Sequence, residues 1–163
     1  MHKGRFFLMT ATKVFRFASC LGNIEKAVEQ ILDEVRTLPW EPMDLDFIKL
    51  ALIEALVNSV VHGNKEHPDK WVTVCYGVVG GRFLMEATDE GPGFNPDVRK
   101  DYDLLSETGR GLLLIRAAMD EVTFNQKGNS IRLVKFIPQA ASSSMEANCL
   151  RGDGAFPLRK EEQ

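Results

Sequence analysis

The sequence predicts a single mixed α/β domain followed by a tail without a core-forming pattern. Three observations predict it. Apolar residues recur at helical spacing in three runs, five shorter runs are β-rich, and after Pro138 both patterns give way to Ala, Ser, Gly and charge. A length of 163 residues suffices for one well-filled core and is short for two. The expected organisation is an N-terminal extension over 1–11, a domain over 12–137 and a flexible tail over 138–163.

Lys13-Val14-Phe15-Arg16-Phe17 alternates charged and apolar side chains, as a half-buried strand does. Asn23 stands where a cap belongs, ahead of a helix from about Ile24 to Leu38 with Ile24, Ala27, Val28, Ile31, Leu32 and Val35 on its apolar side. Pro39 and Pro42 break that run. A second helix is expected from about Asp44 to His62, with Gly63 as its C-terminal cap. Trp71 to Val79 and Arg82 to Thr88 read as strands joined by Gly80-Gly81 in a two-residue hairpin turn. Asn95 to Thr108 is polar and without periodicity, which predicts a mobile loop over whatever the flanking glycines bind. A third helix should leave a glycine-rich turn at Gly111 and run to about Met119. Val122 to Asn125 and Ser130 to Ile137 then close a hairpin around Lys127-Gly128-Asn129.

Composition narrows the function classes. A net charge of −3 and a pI near 5.7 argue against a nucleic-acid binder. No apolar stretch approaches the roughly 18 residues a membrane span needs. Lys13 and Arg16 interrupt any apolar core of a cleaved signal. Cys20, Cys75 and Cys149 are widely spaced and odd in number, which fits a reduced, cytoplasmic protein, and no C-x-x-C suggests zinc.

The chemistry concentrates in three places. Glu54, Asn58 and His62 fall within an arc of about 80° on the second helix, a polar stripe on an otherwise apolar and mostly buried element. Asn58 could offer one oxygen to magnesium, which prefers oxygen ligands and often takes few from protein beside substrate phosphates. Glu54, one turn earlier, could accept a proton from an attacking hydroxyl or water. The alternative is a polar cluster satisfied by neighbouring backbone, and His62 reads as a cap on the helix carbonyls. Asp89 follows a strand, and Gly91 and Gly93 remove side chains where a ligand would approach. A buried carboxylate there could accept a hydrogen bond from an exocyclic amino group such as adenine's; an ordinary turn after a strand is the competing explanation. In Thr108-Gly109-Arg110-Gly111-Leu112, N–H groups at a helix start could bind phosphate oxygens, or the glycines could simply make a tight turn. The order and spacing of the three together point to a magnesium-nucleotide site.

These segments resemble the ATP-binding domain of the gyrase, Hsp90, histidine-kinase and MutL superfamily. Glu54-x-x-x-Asn58 is similar to its N-box, Asp89-x-Gly91-x-Gly93 to its first glycine box and Gly109-x-Gly111 to its second. His62-Gly63, the short lid and the run from Gly111 to Val122 look most like the anti-sigma-factor serine/threonine kinases of bacterial partner switching. The resemblance implies a two-layer α/β sandwich, with helices on one face of a mixed, mainly antiparallel sheet and ATP between the helices and the lid. It further implies that Asn58 holds Mg2+, that Asp89 recognises adenine, and that Glu54 is the base toward a serine or threonine of a partner. The nucleotide would also meet Gly91, Gly93, Thr108, Gly109, Arg110, Gly111, Leu112 and Asn129. The implied partners are a STAS-domain antagonist and a sigma factor, and the implied assembly is a homodimer.

Two departures stand out. Related kinases can carry an arginine just before the second glycine box, where this chain has Glu107, with Arg110 inside the box as possible compensation. The superfamily tends to place a threonine after the glycine of the final hairpin, where this chain has Asn129 and then Ser130. They keep open a nucleotide-gated binding module that does not phosphorylate. A histidine-kinase ATPase module acting in trans ranks behind it, since no phosphoacceptor helix precedes the N-box.

Overall fold

Alternation at period two builds the sheet, and the register of its strands decides which side chains meet the helices. The structure, a computed structural model, describes residues 12–94 and 107–138; the extension, most of the expected mobile loop and nearly all of the tail lie outside the described residues. Strands β1 (Lys13–Ala18), β2 (Trp71–Val79), β3 (Arg82–Asp89), β4 (Glu121–Phe124) and β5 (Ser130–Phe136) form one sheet in the order β1-β2-β3-β5-β4, with every pairing antiparallel. Gly80 and Gly81, at φ of 57° and 74°, make the expected two-residue turn, whose twist matches that of paired strands.

Val74 lies opposite Ala87, Ala87 opposite Ile131 and Ile131 opposite Phe124, so these residues share one face. That face takes helices α1 (Ile24–Val35), α2 (Asp44–Val57) and α3 (Glu107–Ala118), and the core lies between the layers. Ile48, Leu52, Leu56, Val74, Phe83, Met85, Ile115 and Leu133 have no exposed surface. Each such side chain contributes about 1.5–3 kcal/mol by leaving water. The opposite face carries Cys75, Glu86, Arg132 and Thr123 in register, with Arg132 donating to Glu86 through both Nε and Nη2 at 2.9 and 2.7 Å. The two-layer α/β sandwich is therefore as expected.

Three helix boundaries and the two expected caps differ from the sequence reading. Asn23 does not cap α1; its amide donates instead to the Ala18 carbonyl at 3.0 Å, tying the helix start to the end of β1. Helix α1 stops at Val35, short of Leu38, because Pro39 disfavours helical geometry in the residue before it. The Trp40 indole then donates to the Val35 carbonyl at 2.8 Å and closes the helix end.

The second helix changes pitch. Its α-helical part ends at Val57, and Asn58–Gly63 form a π-helical turn, marked by the Asn64 N–H donating to the Ser59 carbonyl five residues back at 2.9 Å. Gly63 is accordingly not a left-handed cap: the left-handed residues are Lys65 and Glu66, at φ of 58° and 52°. The third helix starts at Glu107, so Glu107 and Thr108 belong to it and the glycines of the second box lie inside its first turns. An N-terminal turn tolerates glycine because the rest of the helix is held by packing, here of Leu112 and Ile115 into the core.

Candidate functional site

Asp89 is the last residue of β3, and alternation from Met85 and Ala87 turns its side chain toward the helices. The carboxylate is 8% exposed, and burial raises its pKa above the ordinary value, an effect only partly offset by the Gly91 N–H that donates to Oδ1 at 2.8 Å. Two glycines make this packing possible. A side chain on Gly63 would collide with the Asp89 carboxylate, and one on Gly91 would collide with the Gly63 carbonyl. The π turn and the glycine loop thus touch backbone to carboxylate. Sequence reading assigned Gly63 to capping because the contact joins residues far apart in the chain.

A cavity of about 250 Å³ opens beside Asp89. Asn58, Ser59, His62, Gly63 and Lys65 line it from the π turn and the residues after it, and Pro92, Gly93 and Phe94 from the loop after β3. Leu112 of α3, Phe124 of β4 and Gly128, Asn129, Ser130 and Ile131 complete the wall. Gly93 and Gly128, at φ of 74° and 73°, hold two backbones in contact: a side chain on Gly93 would strike the Lys127 carbonyl, and one on Gly128 the Phe94 carbonyl. Phe94 packs edge-on against Phe124 with ring centroids 5.2 Å apart.

Glu54 lies one turn before Asn58, where α2 meets α3. A Cβ on Gly111 would stand 2.6 Å from Glu54 Oε2 and 3.9 Å from Asn58 Nδ2, so two of the stripe's three polar side chains come together under a residue with none. The second glycine box therefore faces the N-box. Arg110 beside it is exposed. Thr108 and Gly109 lie in the first turn of α3, among the N–H groups that no helical carbonyl accepts. Among the described residues no three His, Cys, Asp or Glu side chains gather as a metal cage. The amide side chain of Asn58, in the cavity wall, nevertheless fits magnesium, which takes most of its ligands from phosphates and water.

Asn129 meets the site through Asp89. Its Nδ2 donates to the Asp89 carbonyl at 2.7 Å, its carbonyl accepts the Asp89 N–H at 2.9 Å, and its Oδ1 accepts from Asn125 Nδ2 at 2.9 Å. Ser130 turns to the other face, between Thr88 and Glu86 at 2.9 Å each. Asn64 escaped sequence reading altogether, although it has no exposed surface: Nδ2 donates to the Trp71 carbonyl at 2.9 Å and Oδ1 accepts the Glu90 N–H at 2.8 Å. An asparagine after a glycine looks like any turn residue until its partners arrive.

Residues 17–135 match the family described as the histidine kinase-like ATPase domain. A serine-protein kinase RsbW of Staphylococcus epidermidis is 30% identical over 106 residues, covering 58% of this chain and 67% of the relative. The protein of the same name from Bacillus subtilis (strain 168) is 31% identical over 105 residues, covering 58% and 66%. That from Listeria innocua is 30% identical over 104 residues, covering 57% and 66%. The matched segment thus spans about two thirds of each relative's length. Among the described residues no helix is long and apolar enough to cross a membrane.

Proposed function

The chain belongs to the histidine kinase-like ATPase domain family, and from that footing we propose that it is an ATP-dependent protein serine/threonine kinase that also acts as an anti-sigma factor. Relatives named serine-protein kinase support the reaction class. The observation that carries it is the meeting of Glu54, Asn58 and Gly111, with Asn58 in the wall of the Asp89 cavity, because it brings a carboxylate able to act as a base, an amide able to bind a metal and the first turns of a helix to one place.

In this reading the Asp89 carboxylate accepts a hydrogen bond from the adenine amino group at the buried end of the cavity. The N–H groups of Thr108, Gly109 and Arg110 at the start of α3 face the phosphates, and Leu112 closes the wall over the base. Asn58 is the side chain that would hold Mg2+, whose charge would offset that of the phosphates. Glu54 takes the proton of the acceptor hydroxyl as its oxygen bonds to the γ-phosphorus and the bond from that phosphorus to the leaving ADP oxygen breaks. Arg110, exposed beside this point, is the cation available to the terminal phosphate where Glu107 replaces an arginine. The partners are a STAS-domain antagonist as phosphoacceptor and a sigma factor as client, the assembly is a homodimer, and the compartment is the cytoplasm.

The test is affinity purification from the native cell with ATP and ADP in parallel, followed by intact-mass analysis. Wild type should add one phosphate to a bound partner, whereas Glu54→Ala should bind ATP and add none. Transfer by Glu54→Ala would remove Glu54 as the base. Partner exchange between ADP and ATP without any phosphorylated partner would favour a nucleotide-gated binding module instead.

A further inference from the structure

The peptide group joining Asp89 to Glu90 is held at both ends by side-chain amides from opposite sides. Asn129 Nδ2 donates to its carbonyl at 2.7 Å, and Asn64 Oδ1 accepts its N–H at 2.8 Å. Neither amide can turn over, because a carbonyl only accepts and an N–H only donates. Each is anchored behind. Asn64, without exposed surface, donates to the Trp71 carbonyl and sits directly after the π turn that carries Asn58. Asn129 accepts from Asn125, whose Oδ1 in turn accepts the Asn129 N–H at 3.1 Å.

We infer that Asn64 and Asn129 are positioning residues for base selection: they fix the plane of the Asp89–Glu90 peptide and so aim the Asp89 carboxylate into the cavity, Asn64 from outside the cavity lining and Asn129 from its wall. The inference rests on the reading of Asp89 as the group that accepts the adenine amino hydrogen. The geometry leads there because a carboxylate has few rotatable bonds beyond its Cα. With Oδ1 tied to the Gly91 N–H at 2.8 Å and the side chain confined by Gly63, the peptide plane is the remaining freedom. Asn129 thereby has a role that does not need the hydroxyl other members of the superfamily carry at its place.

The test compares ATP with purine riboside triphosphate, which lacks the 6-amino group, by isothermal titration of the full chain with Mg2+. Wild type should prefer ATP on the order of ten- to a hundredfold, the worth of one hydrogen bond to a charged group. Asn64→Ala and Asn129→Ala should reduce that preference to about threefold or less. Asn64→Asp keeps the acceptor for the Glu90 N–H and should retain most of the preference even where stability falls. Should Asn64→Ala fail to fold, Asn129→Ala, at a partly exposed turn, decides alone. Equal weakening toward both nucleotides with the preference intact would overturn the inference and reduce both residues to structural supports. A wild type that binds both nucleotides equally would instead overturn the reading of Asp89.

Discussion

Glycine serves two unrelated needs at the two ends of the β2–β3 hairpin. At the turn, Gly80 and Gly81 supply positive φ, and nothing lies within 4 Å of where a side chain would begin. Around the cavity, Gly63, Gly91 and Gly111 need no unusual backbone, yet each lies against a polar group: the Asp89 carboxylate, the Gly63 carbonyl and the Glu54 carboxylate respectively. The turn asks for a conformation, which asparagine can also adopt. Gly63, Gly91 and Gly111 ask for room, which no other residue leaves, and Gly93 and Gly128 ask for room and positive φ together. Polar groups from separate segments meet there because the side chains that would hold them apart are missing.

The largest effect should come from Gly63→Ala, since both the Gly63 backbone and the buried Asp89 are held in place. ATP affinity measured by titration should fall by about a hundredfold or more, with stability lowered by at least the roughly 1–3 kcal/mol of an overpacked core. Affinity within threefold of wild type would mean that the contact yields, and the contrast with the turn would collapse.

Gly111→Ala sharpens the comparison from inside the site. Its new methyl would meet the far end of the flexible Glu54 side chain rather than backbone, so fold and ATP binding should survive. Phosphotransfer should fall by about 10²–10⁴-fold, the worth of a displaced general base. A parallel loss of ATP affinity would show that Gly111 serves binding and not the placement of Glu54.

Asp89→Asn reads what the crowding does to the carboxylate. Burial raises the Asp89 pKa above its ordinary 3.8, so between that value and the raised one the folded state holds more protons than the unfolded state. Wild-type stability relative to Asp89→Asn should therefore fall as pH rises through that interval, and urea unfolding across the acid range measures it. A difference that does not vary with pH would show that the carboxylate is not desolvated.

Gly80→Asn should be nearly silent. The substitution suits a turn with positive φ and meets open space, so stability should change by no more than about 0.5 kcal/mol and ATP affinity should be unaltered. A loss comparable to that of Gly63→Ala would break the comparison from its other end.

Legibility followed the range of the interactions. The strands were readable because alternation in Val72, Val74 and Tyr76 or in Phe83, Met85 and Ala87 is set by local geometry. Glu54 and Asn58 were readable as a pair because four residues of α-helix put them on one face. The π turn was not, since six residues are too few for a wider helical period to show against the usual one. The start of α3 was missed because glycine disfavours helix locally, while the packing of Leu112 and Ile115 is a tertiary term.

By itself the sequence determined the order of the elements, the apolar face of each, and a set of residues able to bind a nucleotide. Tertiary structure alone decided that Gly63 lies against Asp89, that Gly111 lies against Glu54, and that Asn64 and Asn129 hold one peptide between them. A side chain's own chemistry states what it can bond to. What stands within reach of that bond is settled only when segments distant in the chain pack together.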